Sequence, residues 1–172
     1  MQAMNYDCCR NFMGPGHTLE EFEVVMRDLV LSDDSQYSYR NSLVAIDDEG
    51  GLCGACVSYD GADLHKLRRP FIKAMEERFG QDFSKMGDET SAGELYADSL
   101  AVVEGRRGQG IATRLLNAVV DKARDMGMNA VGLLVDKGNP KAERLYTRLG
   151  FEYVNDSSWG GHPMRHLQYK IK

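Results

Sequence analysis

The spacing of apolar residues changes period several times along the chain, and each change marks an element. In "HTLEEFEVVMRDLVL" the residues Leu19, Phe22, Val25, Met26 and Leu29 recur three or four apart, and Thr18 stands three residues ahead of Glu21 as a capping box. That pattern predicts a helix. "SLVAIDDEGGLCGACVSYD" is two short apolar runs around an Asp-Asp-Glu-Gly-Gly turn, which predicts a β-hairpin. "ADLHKLRRPFIKAMEERFGQDFSKM" reads as helical, with Pro70 expected to break or kink it and Gly80 to end its second part.

"GELYADSLAVV" predicts the next strand. After it, Ile111, Leu115, Val119 and Ala123 repeat every four residues with Leu116, Val120 and Met126 beside them, a helix that Gly127 should stop. "AVGLLV" is a buried strand, and "NPKAERLYTRLG" a helix with Pro140 near its first turn and Gly150 beyond its end. "FEYV" and "MRHLQYKI" read as strands joined by the loop "NDSSWGGHP". There is no internal repeat, low-complexity tract or linker. The order of elements predicts one α/β domain over residues 1–172, with a parallel, right-handed crossover from Glu94 to Val135.

Composition narrows the class. The chain has 172 residues, 42% hydrophobic and 27% charged, the balance of a globular domain with a real core. No apolar run reaches membrane-spanning length, and the start "MQAMNYDCCRNF" lacks the apolar stretch of a secretory leader, so a cytoplasmic location is expected. With 21 basic against 26 acidic residues the net charge is −5, which argues against nucleic acid or an anionic membrane as partner. The adjacent Arg106 and Arg107 are therefore a local feature and point to a small anionic ligand.

Four cysteines raise metal and redox chemistry, and their placement argues against both. Cys53 and Cys56 form "CGAC" inside a predicted strand, where residues three apart face opposite sides. A zinc site needs converging thiolates, and adjacent Cys8 and Cys9 are poorly spaced to complete one. A thioredoxin-type pair should open a helix, and none follows. Buried reduced thiols and no metal are expected.

The stretch "EGRRGQGIATRLL" crowds two arginines and three glycines ahead of a helix, at the carboxyl end of a strand. Open α/β sheets bind ligands at that place, and free backbone N–H groups there attract an anion. A basic surface turn is the plain alternative. A P-loop requires Lys-Ser or Lys-Thr after the last glycine, whereas Ile111 and Ala112 follow Gly110. A dinucleotide fingerprint requires glycine at 113, which is Thr113.

"RGQGIA", Arg107 to Ala112, preceded by "LAV" at 100–102, and "NPKAERLYTRLGF" further on resemble the two signatures of the GCN5-related N-acetyltransferase (GNAT) superfamily. The resemblance runs from about Ser42 to the C-terminus. It implies a mixed, mostly antiparallel sheet with a splayed parallel strand pair, flanked by helices, and acetyl-CoA as co-substrate. It also implies that the amides of Gly108, Gln109, Gly110, Ile111, Ala112 and Thr113, with Arg107 nearby, hold the pyrophosphate. Leu100, Ala101 and Val102 would bind the pantetheine arm through their backbone, Asn139 would contact the coenzyme, and Tyr146 would lie near its sulfur.

Transfer of an acetyl group to an amine needs a neutral amine, a donor for the oxyanion and help for the departing thiolate. Tyr146 is the candidate for that help, giving a hydrogen bond or a proton, against a plain packing role beside Leu145 and Leu149. A backbone N–H of residues 100–102 is the candidate oxyanion donor. Glu94, Tyr96 and Asp98 alternate on one face of a central strand where apolar residues are expected, so both carboxylates are candidate bases, Asp98 lying nearer the reaction centre. Salt-bridged carboxylates would look the same. His162 and His166 share a strand face, and His166 is a candidate lining of the acceptor site.

Two departures from the family stand out. Nothing ahead of Phe12 reads as the usual first strand. About 30 residues, Gly61 to Gly93, replace a short turn, and a lid, a wall of the acceptor site or a homodimer contact are the roles open to them. The expectation is direct acetyl transfer to a primary amine on a small molecule or peptide. A non-catalytic acyl-CoA-binding or sensing module is the alternative.

Overall fold

Five helices and six strands make up the computed structural model, which describes residues 6–172. The helices are α1 (Tyr6–Met13), α2 (Leu19–Leu31), α3 (Leu64–Phe79), α4 (Ile111–Asp125) and α5 (Pro140–Arg148). The strands are β1 (Ser42–Ile46), β2 (Leu52–Asp60), β3 (Glu94–Val102), β4 (Ala130–Asp136), β5 (Glu152–Trp159) and β6 (His162–Lys170). Residues 1–5, on which the reading of the chain's start partly rests, lie outside the described residues. Between residues 6 and 41 no strand forms, and β1 is an edge paired only with β2.

One sheet holds all six strands in the order β1-β2-β3-β4-β6-β5. Every neighbouring pair is antiparallel except β3 and β4, so the sheet is mixed and mostly antiparallel, as expected. The parallel pair is short. Glu94, Leu95 and Tyr96 face Ala130, Val131 and Gly132, and beyond Tyr96 the two strands part while β3 runs on to Val102. The pairing of β2 with β3 shifts by one residue between Ala97 and Ser99, which makes Asp98 the extra residue of a β-bulge.

Alternation along β3 sends Leu95 and Ala97 to one face, where Leu115, Leu116 and Val119 of α4 cover them in the larger core. Tyr96 turns to the other face and meets Tyr59 edge-on, with ring centroids 5.7 Å apart. A second core joins α1, α2 and α3 through Phe12, Phe22, Phe71, Met75 and Phe79, with Trp159 of β5 at its margin. The capping box at Thr18 forms as the sequence predicts: Glu21 N–H donates to Thr18 Oγ1 (3.2 Å), and Thr18 N–H donates to Glu21 Oε2 (2.8 Å).

Two expectations are corrected. Pro70 does not break its helix; α3 runs continuously from Leu64 to Phe79 and ends at Gly80 in the left-handed conformation. Leu64, Arg68, Phe71, Met75 and Phe79 form one buried stripe along it. Burial of its four large apolar side chains contributes about 1.5–3 kcal/mol each, enough to outweigh the ~3 kcal/mol cost of an internal proline. The segment "NDSSWGGHP" is not a loop: β5 and β6 extend through it to a tight Gly160–Gly161 turn with φ of +57° and +80°. Two glycines with positive φ match the turn that a two-residue hairpin needs.

Candidate active site

Where β3 and β4 part, a cleft of about 940 Å³ opens. One end of it is built by the glycine loop. Gly108 and Gly110 take φ of +77° and +76°, the left-handed region that a side chain would strain. Gly110 caps α4 with no side-chain hydrogen bond to the helix, and the first intrahelical donor is Arg114 N–H, bonded to Gly110 O at 3.0 Å. The amides of Ile111, Ala112 and Thr113 therefore remain as donors, with the positive end of a 15-residue helix behind them. Arg107 lines the same end, its Nε donating to Val102 O at 3.3 Å. Arg106 lines it too and is paired with Asp47 of the β1–β2 turn.

The cleft brings together Asp98, Leu100, Val102, Arg107, Gly108, Gly110, Ile111, Ala112, Thr113, Asn139 and Tyr146 of the residues singled out in the sequence. Ala101 and Gln109, also singled out in the sequence, do not line it. Asn139 caps α5, its Oδ1 accepting from Ala142 N–H at 3.1 Å. Tyr146 is half-buried against Phe151, ring centroids 5.9 Å apart, and burial pushes its hydroxyl up to about 12, so at neutral pH it is a donor.

Glu94 lies elsewhere. It is 1% exposed, outside the cleft wall, and three donors hold its carboxylate. Thr90 Oγ1 donates to Oε1 at 2.6 Å, Gln168 Nε2 donates to Oε2 at 2.7 Å, and His166 Nε2 lies 2.9 Å from Oε2. Burial works to raise this carboxyl, but the hydrogen bonds from His166, Thr90 and Gln168 outweigh it and hold it below the ordinary range. His166 is thus tied to Glu94 and to Asn155 Oδ1 (3.2 Å), while His162 lines the cleft 3.3 Å from Asp136.

Asp98 is half-buried and stands at the cleft with unexpected company. Ser99 Oγ donates to its Oδ1 at 2.6 Å, and Tyr59 Oη and Gln36 Nε2 each lie 3.1 Å from its Oδ2. Glu89 comes in beside it from the segment after α3, also lining the cleft, with Arg68 3.5 Å away. Burial first, and repulsion by Asp98 second, raise Glu89 to about 7; burial likewise raises Asp98. Tyr37, Tyr96 and Trp159 add aromatic surface to this end.

Sequence reasoning missed Glu89, Tyr37 and Trp159. The Gly160–Gly161 pair was the signal that could have placed Trp159 on a hairpin strand; Glu89 had none. None of the four cysteines forms a disulfide and all are buried, and among the described residues no group of three or more ligand-type side chains could hold a metal ion. Among them, too, no helix is long and apolar enough to cross a membrane.

The model of the acetyltransferase (GNAT) family matches residues 16–151. An acetyltransferase of Agrobacterium fabrum is 45% identical over 65 residues, 38% of this chain and 46% of its own. The first curated relatives are thus matched over less than half of their own length. A solved acetyltransferase superposes with a TM-score of 0.76 at 26% identity, over 100% of this chain and 98% of that one. The Salmonella typhimurium protein yncA, solved with its cofactor acetyl-CoA, has a TM-score of 0.52 at 17% identity, over 76% of this chain and 64% of its own. At that identity the likeness is one of fold alone.

Proposed function

Because the chain belongs to the acetyltransferase (GNAT) family, we propose that it moves an acetyl group from acetyl-CoA to a primary amine by direct transfer within the cleft. The observation that carries this reading is the splay itself. From the uncapped N-terminus of α4, the partnerless edge of β3 leads past Val102 and Leu100 to Asp98, with Tyr146 lining the same space.

The coenzyme fits the donors present. Its pyrophosphate is the anion that the amides of residues 108–113 and the helix dipole are suited to hold, with Arg107 beside them. The edge of β3 at Leu100, Ala101 and Val102 offers its amide-bearing arm a strand-like partner, and Asn139 faces the coenzyme from α5. The solved neighbour that contains acetyl-CoA has this fold, which supports the same ligand here.

Acetyl-CoA supplies a thioester carbon open to attack. Asp98 accepts the proton from the amine, and a β3 amide receives the oxyanion. Tyr146 meets the departing sulfur. A hydroxyl at about 12 would lose its proton to a thiolate of ordinary affinity, about 8.5, only at a cost of roughly 5 kcal/mol, so Tyr146 acts by hydrogen bonding. Glu94, already held by three donors, supports the strand and is the weaker candidate base. Carboxylates beside Tyr37, Tyr96 and Trp159 favour an acceptor that arrives as a cation.

The test is a melting series with coenzyme A, acetyl-CoA, NAD and ATP, followed by thiol release from acetyl-CoA across a panel of amines. Coenzyme A at about a hundred times its Kd should raise the Tm by roughly 5–10 °C, with NAD and ATP inactive. Stabilisation by NAD alone would sink the assignment. Stabilisation by acetyl-CoA without thiol release on any amine would leave a binding module.

A further inference from the structure

Tyr59 Oη lies 3.0 Å from Glu89 Oε1 and 3.1 Å from Asp98 Oδ2, and Gln36 Nε2 lies 3.3 and 3.1 Å from the same two oxygens. Four contacts join two neutral groups to two carboxyls, yet Gln36 brings two hydrogens and Tyr59 one. A carboxyl proton donated to the Tyr59 oxygen would supply the fourth. With it, Glu89 and Asp98 form a pair holding one proton, in either of two arrangements related by hops through the Tyr59 hydroxyl. Such a pair titrates as a unit.

We propose that Glu89, Tyr59 and Asp98 form the proton exit of the acetyl transfer, by which an acceptor that arrives as an ammonium ion becomes a nucleophile. The inference rests on the reading of Asp98 as the base. Asp98 takes a proton from the ammonium nitrogen, Glu89 gives its own to water in the cleft, and Tyr59 passes the proton of Asp98 across to Glu89. Asp98 is then anionic again. The neutral amine attacks: the N–C bond forms, the nitrogen gives a second proton to Asp98, and the C–S bond breaks. The thiolate, hydrogen-bonded by Tyr146, takes a proton from cleft water, which Asp98 replaces with the one it has just received, so the pair again holds a single proton. Two protons leave nitrogen and one reaches sulfur, so each turnover releases one.

The surroundings suit this task. Arg68, 2% exposed, places Nη2 3.5 Å from Glu89 Oε1, and its Nη1 donates to Gly87 O at 3.1 Å, so a buried cation faces the pair while fixing the segment that carries Glu89. Asp88, half exposed, stands 3.6 Å from Arg68. The other titratable groups facing the pair are Tyr37, Cys56, Tyr59 and Tyr96, all raised chiefly by burial, Cys56 to about 12, so none of them ionises near neutral pH. Glu89 itself, raised to about 7, is matched to release a proton there.

Glu89→Gln and Tyr59→Phe separate this role from packing when assayed at pH 7.5 with two acceptors. One is an alkylamine that is an ammonium ion at that pH; the other is a weakly basic amine such as a hydrazide, already neutral. Both variants should lose about 10- to 100-fold in kcat/KM on the alkylamine and less than about threefold on the neutral amine, because only the former needs the exit. A retained Tm rise with coenzyme A reports that each variant is folded, and Tyr59→Phe carries the test if Glu89→Gln does not fold. Equal losses on both amines, or no loss on either, overturn the relay. Wild-type activity with an unimpaired Asp98→Asn variant sinks the base reading and the relay with it. An active wild type, an inactive Asp98→Asn and an unimpaired Glu89→Gln sink the relay alone.

Discussion

Gly132 leaves empty the space that the carboxylate of Glu94 fills, and a Cβ at position 132 would overlap both carboxylate oxygens. The two residues lie on neighbouring strands, Gly132 being paired with Tyr96 two positions further along β3. Conformation is not the reason for this glycine, because its φ is not positive. Room is. Gly132→Ala should cost about 2–4 kcal/mol, since the carboxylate can move only by giving up buried hydrogen bonds to Thr90, Gln168 and His166. A thermal melt checks this, and a Tm within 2 °C of wild type would mean that Glu94 relocates freely.

Gly110→Val acts through the backbone. Nothing stands within 4 Å of a Cβ there, so the protein accommodates the side chain, but φ of +76° becomes strained. Relaxing that strain turns the amides of residues 111–113 away from their common focus. Coenzyme A affinity should fall by about 100-fold or more while the far-ultraviolet circular dichroism is kept. Undiminished affinity by calorimetry would reduce the loop to a turn.

Tyr146→Phe keeps the ring against Phe151 and removes the hydroxyl. Loss of one hydrogen bond to a developing thiolate should lower kcat by roughly 10- to 100-fold with coenzyme affinity little changed. A packing role predicts the opposite, a lower Tm with kcat per folded molecule intact. Both quantities measured on one preparation decide between them.

Glu89 also makes stability depend on pH. Its affinity for a proton is raised from 4.5 to about 7 in the folded chain, so its stabilising contribution is complete below about pH 4.5 and lost as pH climbs to about 7. Glu94, held low, runs the other way, losing its contribution as pH falls, and is common to both proteins compared. Glu89→Gln cannot titrate. The Tm of this variant should therefore gain on wild type by about 3–10 °C between pH 4.5 and pH 7, then hold a constant gap. Parallel Tm curves across that range would show that Glu89 is not strained by its burial.

Much of this site was legible because its parts are local. The capping box at Thr18, the four-residue repeat of α4 and the glycines at 108 and 110 each express themselves within one element. Asp98 stood out as a charge where a central strand should be apolar. Glu89 did not, because its position beside Asp98 depends on Arg68 holding Gly87 from α3, a contact between residues 19 apart. Tyr59 looked like one more β-forming aromatic until its hydroxyl was placed. The polar run through Ser157 and Ser158 hid the end of β5 because that strand is largely solvent-facing, leaving no alternation to read.

The short parallel pairing has a consequence for how the molecule breathes. β1, β2 and β3 form one antiparallel half of the sheet and β4, β6 and β5 the other, joined along the strands only at Glu94–Ala130, Leu95–Val131 and Tyr96–Gly132, with α4 packed across both. Such a seam is the natural line of sub-global opening, well below the free energy of complete unfolding. Amides of β3 and β4 near the fork should exchange their hydrogens through that opening while the interior of each half stays protected. A ligand that lies along the β3 edge and reaches α5 spans the seam, so its binding should slow exchange on both banks together.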